Sequence, residues 1–291
     1  MTLPISNKEL NALINLLDEP DEPAFNRIRE KIITFGDEAI PFLENSWEET
    51  LVGLVHERID LIIRDIRLVK VKHDFAEWLK AGSSDLLKGF ILVSKVHYPG
   101  LDENEMVQFI EKMRMDAWLE MNDSLTALEN VKVLNHIVYQ VYHFDGNKSN
   151  LLEPDNFYIN TLISSRKGSS LTLGIIYCIV AQKLMLPVYG VNLPQHFIVA
   201  YAAELTSELP PMEDVLFYIN PFSQGAVFTR KEIELFIRQL KVPAEESFFT
   251  PCSNNFIIQR LIETLIFCYN QAGLPEKNEP LEDLLTLIRQ S

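Results

Sequence analysis

The stretch that decides the fold is SSLTLGIIYCIVAQKLMLPVYGVNLPQHFIVAY, residues 169–201. Residues 171–181 within it form the longest apolar run of the chain, relieved only by Thr172, Gly174 and Tyr177. Eleven residues fall short of the roughly 20 that a bilayer span needs, so the run predicts a helix buried in protein. Ser169-Ser170 offers capping oxygens in front of it. Pro187 cannot continue it, so the helix is expected to end near Met185. Two short β-like runs follow, 188–191 and 197–201, with His196 at the head of the second.

Downstream, a charged loop over 204–214 leads to a third strand-like run, 215–219. Asn220-Pro221-Phe222-Ser223-Gln224-Gly225 has turn chemistry, and 226–228 reads as a short returning strand. Helices are expected at 231–240, 257–269 and 281–288. Upstream, Glu153-Pro154-Asp155-Asn156 reads as a loop and Ser165-Arg166-Lys167-Gly168 as a polar corner. Residues 74–145 read as helices broken at Tyr98-Pro99-Gly100. Among them, 106–119 is amphipathic, with Val107, Ile110, Met113 and Trp118 as core positions, and a helix over 125–142 closes at Asp145-Gly146-Asn147. The first 75 residues read as paired short helices, opened by a capping box at Ser6 and Glu9 and punctuated by Pro20 and Pro23. They resemble a HEAT-type repeat, and a plain helical cap explains them equally well. Helices, then a helix with antiparallel strands, then helices again give an α+β fold. The expected divisions are 1–75, 76–245 and 246–291.

Lys and Arg number 26 and Asp and Glu 41, a net charge of −15 over 291 residues. Such a chain repels phosphate backbones, which argues against nucleic acid as a partner. No membrane span is legible, and MTLPISNKEL lacks the basic and apolar parts of a signal peptide. Three cysteines with no paired spacing (Cys178, Cys252, Cys268) fit a reducing compartment, so a cytoplasmic location is expected. Between Asp155 and Glu204 there is no carboxylate, while Arg166, Lys167 and Lys183 are present. Either this is the buried centre, where charge is costly, or it is a cleft that attracts anions. The histidines show no ligand spacing, and no phosphate loop or dinucleotide fingerprint occurs, so neither a metal nor another cofactor is expected.

Several segments in order carry a resemblance. They are Tyr98-Pro99, Phe144-Asp145-Gly146-Asn147, Glu153-Pro154-Asp155-Asn156, Arg166-Lys167-Gly168, Leu184-Met185-Leu186-Pro187, the run from Val188 through His196-Phe197, Tyr218-Ile219-Asn220-Pro221-Phe222, and 259–265. Together, over about 75–270, they resemble the transglutaminase-like superfamily, and more closely its bacterial SirB-type branch. That branch implies a helical N-terminal part, a papain- or transglutaminase-like core and a tetratricopeptide-like tail. Active members of the superfamily place a Cys at the N-terminus of the central helix, a His on the next strand and an Asp or Asn on the strand after it.

By this resemblance His196 matches the general base and Asn220 the residue that orients it. The nucleophile position falls on or near Ser170, and no cysteine stands there. Cys178 lies eight residues along the helix, roughly 12 Å away at about 1.5 Å per residue. Ser170 therefore reads either as a helix cap or as a substitute nucleophile. Arg166, Lys167, Tyr189, Asn192 and Gln195 are candidates to line the same cleft, Asn192 doubling as a turn residue. The missing thiol implies a pseudoenzyme whose cleft binds a protein or peptide partner. The alternatives are a hydrolase or acyltransferase using Ser170 or an activated water with His196 as base, and a scaffold with its cleft closed.

Overall fold

The computed structural model describes residues 7–206 and 208–290. The capping box expected at the start of the chain depends on Ser6, which lies outside them. The chain separates into two compact units: residues up to 74 with 95–99, and 75–94 with 100–291.

The first unit is helical: α1 (Asn7–Ile14), α2 (Glu22–Ile33), α3 (Ile40–Glu49) and the part of α4 (Gly53–Lys80) up to residue 74. Asp21 caps α2 by accepting the N–H of Ala24 at 3.1 Å, and Pro23 sits in the first turn, where a missing donor costs nothing. Leu10, Leu17, Phe25, Ile32, Leu43 and Ile59 form the centre of its core. The sequence suggests a break between a helix over 51–66 and another starting near 75. Instead α4 is continuous, because residues 54–80 contain neither Gly nor Pro to interrupt it.

The second unit contains the rest of α4, α5 (Leu86–Lys95) up to residue 94, α6 (Glu103–Glu120), α7 (Ala127–Asn135), α8 (Ile159–Ser165), α9 (Ser170–Lys183), α10 (Arg230–Gln239), α11 (Asn254–Gln271) and α12 (Glu279–Gln290). The stripe of α6 that is buried runs Met106, Ile110, Met113 and Ala117. Trp118 is 58% exposed, which corrects the expectation that it is core: the helical repeat puts residue 117, not 118, below Met113. The expected helix over 125–142 is α7 followed by a wider π turn, His136–Val141.

Every residue from Leu171 to Ala181 of α9 is buried, as the apolar run requires. Two two-residue strands, β1 (Asp145–Gly146) and β2 (Lys167–Gly168), pair in parallel just before it. Behind it comes an antiparallel sheet of β3 (Val188–Leu193), β4 (His196–Ala202), β5 (Val215–Asn220), β6 (Ala226–Phe228) and β7 (Pro251–Cys252), ordered β6-β5-β4-β3-β7. The fold is thus α+β, a small antiparallel sheet between helices. Alternation divides the sheet into two faces. Val191, Leu193, Ile198, Ala200 and Tyr218 meet Ile233 and Ile237 of α10, while Phe197 turns toward α9. Phe197 fits because Gly174 of α9 and Gly190 of β3 leave room for its ring. A Cβ on Gly174 would stand 2.4 Å from the ring and one on Gly190 2.5 Å. Among the described residues no helix is long and apolar enough to cross a membrane.

Candidate active site at the head of the central helix

The hairpin that carries His196 turns through Pro194 and Gln195, with Leu193 paired to His196. Proline fixes the first corner, and Gln195 takes the second with φ +59°, a left-handed conformation unusual for a side chain larger than glycine. Arg260 of α11 holds this turn from below. Its Nη2 donates to His196 O at 3.2 Å and its guanidinium reaches Leu193 O at 3.4 Å.

His196 is coupled to the end of β5. Its Nε2 lies 3.1 Å from Asn220 Oδ1. The same oxygen accepts the backbone N–H of Phe222 at 3.0 Å and of Ser223 at 3.3 Å, capping a short 3-10 turn. Two N–H groups need an acceptor, so the amide must present its oxygen, and Nε2 must be the donor. The neutral imidazole is thereby held as the Nε2–H tautomer, leaving Nδ1 with its lone pair. Phe222 packs edge-on against the imidazole, with centroids 6.0 Å apart. Burial lowers the His196 pKa below its ordinary value, the bond to Asn220 works against that shift, and the Arg260 charge adds to it.

At the head of α9 the cap is Ser169, whose hydroxyl accepts the N–H of Thr172 while Thr172 answers in a capping box. Ser170 therefore is not the cap. It is the first helical residue, and its Oγ accepts the N–H of Phe197 at 3.2 Å, one residue beyond His196. Among the described residues no hydrogen bond joins Ser170 to His196. A serine hydroxyl that is not hydrogen-bonded to a base is a weak nucleophile.

None of the thiols replaces it. Cys178 and Cys268 are buried, and Cys252 is part-buried and donates to Gly190 O at 3.1 Å. Burial raises all three pKa values, Cys268 to about 11, Cys252 to about 12 and Cys178 beyond that. Cysteines of this kind are inert rather than reactive.

His196 borders two cavities. One, of about 270 Å³, opens on the α10 face between Ile198, Asn220, Phe228 and Phe236. The other, about 420 Å³, runs from Ser170 and Gln195 past Arg260 to an apolar rim. Of the cleft-lining candidates, only Gln195 lies there. Arg166 instead lays its guanidinium on the rings of Phe109 and Phe144, at 4.3 and 5.2 Å. Lys167 is exposed on β2. Tyr189 stands on β3 with its hydroxyl buried, and Asn192 is part of β3 opposite Phe197 rather than in the turn. Lys183 pairs with Glu111 at 2.6 Å. The cation that does border the cavity, Arg260, was readable only as one charge beside the apolar stripe Ile257, Leu261, Ile262 and Leu265.

The profile of the transglutaminase-like superfamily matches residues 104–263, more than half of the chain. The chain belongs to the transglutaminase-like superfamily. The match runs from within α6 to within α11 and so takes in every element that builds the site. Mouse F-box only protein 21 is 22% identical over 280 residues, 96% of this chain but 38% of that protein. A UPF0162 protein of Xylella fastidiosa is 26% identical over 194 residues, 63% of this chain and 64% of that one. UPF0162 protein YchA of Escherichia coli is 24% identical over 197 residues, 67% and 68%. The chain thus spans less than two thirds of the first two of these relatives. No solved structure matches it.

Proposed function

We propose that this chain is a non-catalytic, cytoplasmic member of the SirB-type branch that binds a peptide or protein partner. In this reading 76–245 is the binding core, 1–75 a HEAT-like flank and 246–291 a tetratricopeptide-like remnant. The observation that carries it is at the head of α9. Ser170 stands where a thiol is required and is bonded to the backbone of Phe197, with no bond to His196. The open cavity beside it supports binding over a closed scaffold. The recurrence of a 280-residue match inside the longer F-box only protein 21 fits a unit that works with other parts. The test is a pull-down with the full chain from its native host, paired with a turnover screen on peptides and amides. A stable partner without turnover is expected. Turnover lost in His196→Ala would overturn the reading.

The ordered His196–Asn220 pair favours a second reading, a hydrolase or acyltransferase in which Ser170 or an activated water attacks with His196 as base. A fluorophosphonate probe that labels Ser170 in the native chain, and not in His196→Ala, would establish it.

A further inference from the structure

The cavity of about 420 Å³ beside Ser170 is a cationic hole in an acidic protein. The chain carries a net charge of −15, yet no carboxylate lines this cavity, while Arg260 does. Arg260 is mostly withdrawn from solvent and forms no ion pair among the described residues. Its partners are the two turn carbonyls and the face of Phe197, 5.6 Å from its guanidinium carbon. The carboxylate whose field it feels, Glu263, accepts from Gln259 instead, at 2.9 Å. A desolvated guanidinium bonded only to neutral oxygens retains much of its attraction for an anion.

Beside Arg260 the wall has polar groups from Ser169, Ser170, Gln195, His196 and Thr264, and its other six residues are apolar. Leu152 and Phe267 border the mouth and are about half exposed, and Phe157, Leu171 and Phe222 lie deeper. The volume lies in the range of small-ligand sites, about 300–1,000 Å³, and suits the last two or so residues of a peptide. An occupant that brings a carboxylate and a large apolar group close together answers both parts of the wall. A chain terminus ending in an apolar residue does so on one Cα. An internal Asp or Glu beside an apolar neighbour does not, because successive side chains of an extended strand point to opposite sides.

We infer that this cavity binds the C-terminus of a partner protein, with the terminal carboxylate on Arg260 and an apolar last side chain against Leu152, Phe157 and Phe267. The inference rests on the interaction reading above and names its ligand.

The probes are fluorescein-labelled tetrapeptide pools with the last residue fixed as Leu, Phe, Ser or Lys, each as free acid and as C-terminal amide. They are titrated into the full chain by fluorescence polarisation. The Leu and Phe acids should bind at least tenfold more tightly than their amides and than the Ser and Lys acids. Arg260→Gln should abolish the difference between acid and amide. That arginine also holds the hairpin turn, so the comparison of acid with amide on the unaltered chain stands as the primary readout. Equal binding of acid and amide overturns the inference, as does binding of no pool. Displacement of the peptide by octanoate at equal concentration also overturns it, by assigning the pocket to a free fatty acid. A partner recovered by pull-down whose binding survives amidation or removal of its C-terminus would sink this inference and leave the interaction reading standing. No partner at all would sink both.

Discussion

On the Asn220 side of His196, one amide oxygen takes the imidazole N–H and two backbone N–H groups, so it holds both the ring and a turn. On the Ser170 side, a hydroxyl takes one backbone N–H and makes no hydrogen bond to the ring. The two sides meet on the same strand, one residue apart. The comparison separates two tasks that an acyl-transfer site normally joins. Fixing the tautomer and direction of a base needs only hydrogen-bond geometry, whereas supplying a nucleophile needs an ionisable group poised against that base. The Asn220 side does the first, and the Ser170 hydroxyl makes no hydrogen bond to the base.

The sharpest way to break the comparison is to remove the floor under both sides. Gly174→Val puts side-chain carbon into the Phe197 ring, and overpacking of that kind should cost about 3 kcal/mol. A chain that melts as before would show that Phe197 has room to move and that the strand carrying His196 is not pinned by it. Next, the two sides should differ in strength. Asn220→Ala leaves three donors without their acceptor and should lower stability in urea by about 2 kcal/mol, against about 1 kcal/mol for Ser170→Ala, which strands one. Equal losses would mean that the Asn220 side is no better built than its counterpart.

A smaller effect follows from burial of the imidazole. The folded chain holds the His196 pKa below 6.5, so the unfolded chain takes up the proton first as pH falls. The share of stability due to neutral His196 is complete above pH 6.5 and is lost as pH falls toward the folded value. Stability measured across that window should therefore rise with pH, and His196→Gln should flatten that contribution. Asn220→Asp places a carboxylate on the ring, raises its pKa and should shrink or reverse the slope. Smallest of all, Gln195→Gly relieves the left-handed corner of the turn and should raise stability by about 0.5 kcal/mol, since glycine's own backbone freedom offsets part of the relief. A loss instead would mean that the Gln195 side chain holds the turn.

Much of this was legible in the residues. The eleven apolar residues of α9 and the paired runs after Pro187 specify the helix and hairpin, because a fully buried helix and two β-branched strands leave strong local patterns. The opposition of His196 and Asn220 was available from a resemblance, not from spacing. What escaped was short or long-range. Strand β7 has two residues, one of them Pro251, so no alternation announces it. Ser169 and Ser170 are equally good caps on paper, and only the path of β4 decides which hydroxyl is taken by the helix. The amphipathic pattern of 106–119 left Trp118 and Ala117 to choose between, and the buried helical stripe passes through Ala117. The position of Arg260 under the turn depends on a contact across 64 residues of chain, which no local pattern encodes.

That last contact gives the tail helix a role in the site. Because α11 both props the carbonyls at Leu193 and His196 and sets Ile257 beneath Gly190, the hairpin is a shelf whose bracket comes 64 residues later in the chain. During synthesis the base and its partner amide are made before this bracket, so until α11 is added the carbonyls of Leu193 and His196 lack the guanidinium that holds them.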